Sequence, residues 1–484
     1  MDRRMYIDNQ WVEASGGASY QVPNPATEEV IGSAPDATVD DMKRAIGAAR
    51  RAFDDGPWRK TTPADRAKIL EKIADVMERR KEEMRALVVA EAAATYLTHG
   101  VQIEAPIEHL RHWAELARRF EFEEALPPRP SNGPLGPQMN SAIVYRQPVG
   151  VCGMIPTWNF PIYVFEQKLG PAIAAGCTMV FKASPYGPLS NLFLADLVAE
   201  ADLPPGVVNV VTGQSNAIAE ALVTDPRIDK ISFTGSVATG RKIIQASASN
   251  LKRVHLELGG KSVSIFLDSD DDMAAPAACG PSFFHSGQGC AMATRVLVPA
   301  DKHDAFVERM VGFTSIVTIG NPADPSVMMG PVVREERRQK ILEYIESGTK
   351  EGAKLMTGGG VPASQKKGYF LEPTIFAAVP NRIRIAQEEI FGPVVSVIPF
   401  KDEDEAVKIA NDSSYGLGGA IYSKDVAKAV ALAKRIRTGV VWVNNGINQI
   451  DGPFGGFKES GLGREGGRWG LEEYTEIQQI AWRA

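Results

Sequence analysis

Between residues 150 and 260 the chain switches repeatedly between short β-rich runs and helical ones, and this rhythm narrows the fold more than any other feature. Met179-Val180-Phe181-Lys182, Val207-Val208-Asn209-Val210-Val211 and Lys230-Ile231-Ser232-Phe233 are short, mostly apolar runs of the length of buried strands. Helix-forming stretches such as 190–201 separate them. Parallel strands need such crossovers, and the helices then cover the sheet, so an α/β fold is predicted. A second alternating block runs from about 262 to 445.

The first hundred residues read as helices. Thr38-Val39-Asp40-Asp41 is a capping box, followed by Met42, Ala45, Ile46, Ala49 and Phe53 on one face. Thr62-Pro63-Ala64-Asp65 repeats the device with proline at the first helical position. Residues 126–140 break the pattern. Five prolines between Pro127 and Pro137 exclude a helix or a central strand and leave an extended connector or a projecting arm.

At 484 residues the chain is too long for one core, so two or three domains are predicted. The net charge of −6 offers no basic excess for a nucleic-acid backbone, so no nucleic-acid partner is expected. No run reaches the roughly 18 apolar residues of a membrane span, and Met1–Tyr6 lacks an apolar signal core. Cys152, Cys177, Cys279 and Cys290 form no C-x-x-C pair and the six histidines add no zinc spacing, so no metal is expected. Free thiols fit a reducing cytoplasm.

Two motifs carry chemistry. Cys290 ends the run Phe284-His285-Ser286-Gly287-Gln288-Gly289-Cys290, and Glu257 lies upstream in Leu256-Glu257-Leu258-Gly259-Gly260-Lys261. A thiol can form a covalent adduct and a carboxylate can bring water to it. Taken singly, Glu257 is equally a capping or salt-bridged acid. Phe233-Thr234-Gly235-Ser236-Val237-Ala238-Thr239-Gly240 follows a strand and opens a helix. Glycine admits a ligand close to the backbone, and helix N-terminal amides favour an anion. The spacing G-x-x-x-x-G is also that of a plain strand–helix turn. A cysteine hydrolase is the competing enzyme class. It needs a histidine beside Cys290, and His285 is the one candidate near in sequence.

Around these motifs the chain resembles the aldehyde dehydrogenase superfamily nearly end to end. The resemblance implies a Rossmann-like nucleotide-binding domain (1–124 and 147–257) and an α/β catalytic domain (258–459). A small β arm (125–146 with 460–484) would join copies into a homodimer or homotetramer. It implies oxidation of an aldehyde to its acid with NAD or NADP, the substrate being a small-molecule aldehyde. Cys290 would attack the carbonyl carbon, and Asn159, in Thr157-Trp158-Asn159-Phe160-Pro161, would donate to the resulting oxyanion. Glu257 would activate water against the thioester, and Glu465 with Lys168 would relay protons or only order the loop. Branches that transfer to coenzyme A generally lack the Glu257 carboxylate, so hydrolysis is expected. Most members carry proline where Thr157 stands.

For the cofactor, the same resemblance implies Ile155, Pro156, Trp158, Lys182, Ser184, Gly213, Phe233, Gly235, Ser236, Gly240, Leu258, Gly259, Glu389 and Phe391. Pro185 belongs to this set but departs from the pattern, because NAD-preferring members usually carry a ribose-binding glutamate there. Losing that carboxylate removes a repulsion of about 1–4 kcal/mol against a 2′-phosphate, so NADP is expected to be tolerated or preferred. For the substrate it implies Phe160, Val164, Gln167, Phe284, Gly289, Ala291, Ile447 and Phe454. An aromatic at position 167 usually accompanies trimethylammonium aldehydes, so Gln167 argues against betaine aldehyde. Gln167 and Asn448 are candidates for binding a polar tail.

Overall fold

A computed structural model describes residues 1–134, 136–268 and 273–483. At its centre an eight-stranded sheet runs, by residue range, 461–462, 253–257, 230–234, 151–155, 178–182, 208–211, 5–7 and 10–12. The five strands from Arg253–Glu257 across to Val208–Val211 are parallel. The chain starts this block at Val151–Ile155, builds outward through Thr178–Lys182 to Val208–Val211, then returns to the other side of its first strand with Lys230–Thr234. Successive connections therefore diverge between Val151–Ile155 and Lys230–Thr234. In open α/β sheets ligands lie in the crevice beyond the carboxyl ends of strands at such a switch point. Here those ends are Ile155 and Thr234.

These strands are buried on both faces, which explains their unbroken apolar runs. Helix Pro161–Ala175 packs on one face, with the Phe165 and Phe181 rings stacked 3.8 Å apart. A seven-stranded sheet, in the order 354–357, 374–377, 394–400, 295–299, 263–266, 418–422 and 440–443, forms the core of the second alternating block. All its pairings except the first are parallel.

The expectation of helices throughout the first hundred residues fails before residue 38. Met5–Ile7 and Gln10–Val12 form a hairpin on the edge of the central sheet, and Ser19–Pro23 pairs with Val30–Pro35. Asp8 and Asn9 both adopt positive φ, the backbone a two-residue hairpin turn needs. Ser19–Pro23 alternates exposed and buried side chains, the period of two that the capping boxes downstream overshadowed. Both capping boxes form as read. Thr38 and Thr62 accept from the Asp41 and Asp65 amides, and each aspartate accepts from the threonine amide in return.

The proline-rich run becomes Glu123–Gly133, the outer strand of a three-stranded antiparallel sheet with Gly136–Pro148 in the middle and Thr475–Arg483 opposite. An edge position tolerates proline's missing N–H, and the register slips between Leu126 and Arg129, at Pro127-Pro128. The C-terminal segment is divided rather than wholly in the arm. Residues 461–462 pair with Leu256 and Glu257 in the central sheet, and only Thr475–Arg483 reaches the small one. No described helix is long and apolar enough to cross a membrane.

Candidate active site

A cavity of about 890 Å³ opens where the switch point directs, between the two large sheets. The central sheet contributes the loops that follow three of its strands: Thr157–Phe160, Thr234–Ser236 and Glu257–Gly259. The second alternating block contributes Gly289–Ala293, Glu389, Phe391, Ala420 and Trp442.

Cys290 reaches this cavity through a turn that only small residues permit. Ser286 and Gly287 both have positive φ, and a Cβ at Gly287 would come within 2.0 Å of the Gly392 carbonyl oxygen. Opposite, a Cβ at Gly260 would come within 2.4 Å of the Cys290 carbonyl oxygen. Gly260 thus lets the Glu257 loop touch the thiol loop, and Gly287 lets the thiol loop meet the segment at Gly392. Burial, then the carboxylates of Glu257, Glu389 and Glu465, push the Cys290 thiol well above its ordinary pKa. Glu257 is buried, and neither of its carboxyl oxygens has a hydrogen-bond partner among the described residues. Burial, followed by the charge on Glu465, raises its pKa well above the carboxylate range. Burial thus favours the neutral form of both groups.

Asn159 is fixed from three directions. Its side-chain Nδ2 donates to the Gln288 carbonyl at 2.8 Å. Its own carbonyl accepts from Gln102 Nε2 at 2.9 Å and faces His285 Nε2 at 2.8 Å. Glu465 lines the cavity, and Lys168 stands behind it, donating Nζ to Glu465 Oε1 at 3.1 Å. Cys290, Glu257, Asn159 and Glu465 therefore share one space, with Lys168 one contact away. His285 does not line it. Turned to the Asn159 carbonyl, it leaves a cysteine hydrolase without its base.

Of the expected cofactor residues, Trp158, Gly235, Ser236, Leu258, Gly259, Glu389 and Phe391 line the cavity. Ser236 caps the 11-residue helix Val237–Ser247, its Oγ accepting from the Thr239 amide, so the helix N-terminus faces the space. Glu389 lies over Gly259, where a Cβ would meet its Oε2 at 2.2 Å, and accepts from the Gly260 amide at 3.0 Å. Phe391 holds positive φ, uncommon for a bulky residue, with its ring 5.6 Å from that of Trp158. The remaining residues stand behind this wall. Ile155 and Lys182 end their strands, with Pro156, Ser184 and Pro185 just beyond and Gly213 two residues past Val211. The Phe233 ring packs beneath Gly235, and Gly240 packs against Leu258. Burial pulls the Lys182 ammonium down to about 8.

Of the expected substrate residues, Phe160, Val164, Gly289, Ala291 and Phe454 line the cavity, and Gln167, Phe284 and Ile447 do not. Gln167 is turned away, its Nε2 2.6 Å from His109 Nδ1 and 2.8 Å from Glu166 Oε2. The Phe284 ring packs back on Gly280, one helical turn earlier. Ile447 projects into solvent, and its neighbour Asn448 faces the cavity instead, accepting from Trp442 Nε1 at 2.9 Å. The sequence reading missed Tyr163, Val101, Pro281, Tyr422 and Trp442. Tyr163 lies in the first turn of helix Pro161–Ala175, which Phe160 precedes as its N-cap residue. It also missed the charged rim of Arg334, Glu336, Arg337 and Lys340, basic on balance. The Arg334 guanidinium lies 4.1 Å over the Tyr186 ring and donates to the Pro185 carbonyl at 3.2 Å.

A helix N-terminus at a parallel-sheet switch point, opening onto a thiol and a carboxyl, fits a nucleotide-dependent oxidoreductase. The chain belongs to the aldehyde dehydrogenase family, whose profile matches residues 11–480. An aldehyde dehydrogenase of Emericella nidulans is 41% identical over 483 residues, spanning 99% of this chain and 95% of its own. A Mycobacterium tuberculosis aldehyde dehydrogenase solved with NAD+ superposes with a TM-score of 0.93 at 37% identity, covering 99% of this chain and 98% of the other. A mutant of Pseudomonas syringae aldehyde dehydrogenase C, solved with NAD+ and octanal, gives 0.93 at 38%, covering 99% and 96%. The protein is an NAD(P)-dependent aldehyde dehydrogenase, and it oxidises aldehydes with NAD(P)+.

Proposed function

We propose that oxidation proceeds through a covalent thioester on Cys290 and ends in hydrolysis to the free acid. The observation that carries this is the shared cavity of Cys290, Glu257 and Asn159, with Asn159 locked before any substrate arrives. The Cys290 thiol gives its proton to solvent and its Sγ bonds to the aldehyde carbon, the carbonyl π pair moving onto oxygen. The oxyanion takes hydrogen bonds from Asn159 Nδ2 and the Cys290 backbone N–H, donors whose individual loss typically costs about 2.7–4 kcal/mol. A nicotinamide held beside Cys290 would supply the hydride acceptor. Glu257 then takes a proton from the water that attacks the thioester, and the acid leaves as the C–S bond breaks.

The residues present fit the dinucleotide. The Ser236 helix end suits the pyrophosphate, with Arg334, Arg337 and Lys340 adding positive charge at the rim. Trp158, Leu258, Glu389 and Phe391 suit the nicotinamide half. Lys182 would hydrogen-bond the adenosine ribose, where Pro185 opposes no charge to a 2′-phosphate, so NADP is accepted alongside NAD.

The wall beside Cys290 is built from Val101, Phe160, Tyr163, Val164, Pro281 and Phe454, which favours an aliphatic or aromatic aldehyde. A polar tail would meet Asn445 or Asn448 rather than Gln167. The domains follow the sheets: nucleotide binding on the eight-stranded one, catalysis on the seven-stranded one. The three-stranded sheet exposes Met139, Ile477, Ile480 and Trp482, and a second copy of the chain covers them in a homodimer or homotetramer. The setting is the cytoplasm. Intact-protein mass spectrometry of Glu257→Gln mixed with aldehyde and cofactor tests the central reading. An acyl mass on Cys290 supports it, and its absence with every turned-over substrate overturns it.

A further inference from the structure

Just upstream of helix Ala105–Arg119 the backbone widens into a single π-helical turn, Gly100–Glu104, closed by the Ala105 amide donating to the Gly100 carbonyl. Pro106 follows, with no N–H to continue an α-helical ladder back into this turn. Such turns are rare and concentrate at functional sites. This one sends two neighbours to different places. Val101 lines the active-site cavity, and Gln102 is 0% exposed behind it.

Gln102 reaches the oxyanion donor from its far side. Its Nε2 donates to the Asn159 carbonyl at 2.9 Å, and its Oε1 is buried with no hydrogen-bond partner among the described residues. A carbonyl only accepts, so the amide must present its nitrogen there, and its oxygen is stranded as a result. The same carbonyl faces His285 Nε2 at 2.8 Å. Burial pulls the His285 imidazole down to about 4, so the ring is neutral and Nε2 carries the donated hydrogen. The contacts then close on themselves. Asn159 Nδ2 donates to the Gln288 carbonyl at 2.8 Å, and Gln288 Nε2 donates to the His285 carbonyl at 3.3 Å. Thr95, just before the turn, donates its Oγ1 to the Phe284 carbonyl at 3.1 Å. The segment from Thr95 to Gln102 therefore grips both the Asn159 loop and the loop that carries Cys290.

We propose that Gln102 is a positioning residue for aldehyde oxidation: with His285 it saturates the Asn159 carbonyl and so fixes the line along which the Asn159 side-chain amide meets the oxyanion. This rests on the reading that Asn159 donates to that oxyanion. The backbone at residue 159 can turn only by breaking buried hydrogen bonds, so the remaining N–H on Nδ2 is aimed before substrate arrives. A donor held in this way needs no reorientation as charge develops on oxygen. Gln102 does not line the cavity. Its loss should therefore appear in the rate of chemistry and not in binding.

The test is a double-mutant cycle between Asn159→Ala and Gln102→Met, which keeps the length of the side chain and removes its donor. The readouts are the single-turnover rate of reduced-cofactor formation, KM for the aldehyde, and cofactor affinity by titration. Gln102→Met alone should slow the single-turnover rate by about tenfold, with KM and cofactor affinity within about twofold of wild type. In the Asn159→Ala background the same substitution should change the rate by less than about twofold, because no side-chain amide remains to be aimed. A Gln102→Met rate within about twofold of wild type, or an equal loss in both backgrounds, overturns the proposal. If Gln102→Met does not fold, Gln102→Asn takes its place in the cycle, keeping the amide and shortening its reach. Failure of the underlying reading would show separately, as an Asn159→Ala rate within about threefold of wild type.

Discussion

The Asn159 side chain donates to the backbone carbonyl of Gln288, 2.8 Å away and two residues before Cys290. An amide nitrogen carries two N–H donors, so this bond leaves one free and fixes where it points. The stabilising dipole is thereby tied to the same loop as the nucleophile. Asn159→Ala should lower kcat by about 10²–10³ with little change in cofactor affinity. Steady-state kinetics and a cofactor titration check both. A loss under about threefold would remove Asn159 from the oxyanion site.

Cys290→Ala should abolish aldehyde oxidation while leaving cofactor binding intact, since the sulfur touches the reacting carbon and not the nucleotide loops. Glu257→Gln should give one burst of reduced cofactor and then stall. Stopped-flow absorbance at 340 nm separates the two, and sustained wild-type turnover in either variant contradicts the assignment.

The pH dependence follows from the direction of two shifts. Thiol attack and water activation both need a deprotonated group, and burial raises the pKa of Cys290 and of Glu257. The rising limb of kcat/KM should therefore lie at neutral to alkaline pH, not near pH 4–5 as an ordinary carboxylate would give. Stability has the opposite sign. A folded pKa raised above the unfolded one means that the neutral form favours folding, and this is lost as pH rises toward the folded value. Glu257→Gln should accordingly gain thermal stability over wild type as pH rises above about 4.3, measured as Tm against pH.

Pro185→Glu should restore the carboxylate that NAD-preferring members use. An electrostatic term of about 1–4 kcal/mol predicts a roughly five- to thousandfold shift in the NAD over NADP ratio of kcat/KM toward NAD. A wild-type ratio already above about a hundred would refute tolerance of NADP.

Trp482→Asp should weaken self-association, because it places a charge on the apolar face of the small sheet. Sedimentation velocity should show smaller species, with each subunit's fold unchanged by circular dichroism.

Much of this was legible in residue patterns. The apolar runs at 179–182, 207–211 and 230–233 became central strands because both faces of a parallel sheet are buried. Cys290, Glu257 and Asn159 met because short motifs and their glycines mark close backbone approach. The N-terminal hairpins were less legible, since two- and three-residue pairings leave little periodicity to detect. Pocket residues on loops were hardest. Ile447 and Asn448 are adjacent, and only the path of the loop after Val440–Val443 decides which of them turns inward. The bond from Gln102 to the Asn159 carbonyl was invisible because it joins turns 57 residues apart.

The outer strand Glu123–Gly133 has consequences for how copies can add laterally. Prolines at 127, 128 and 130 offer no N–H to a further chain, so that border of the small sheet is closed to extension. Thr475–Arg483 is its open border. A ribbon would require unlike borders to meet, whereas two open ones can join only about a twofold axis, which uses both and halts growth at a pair.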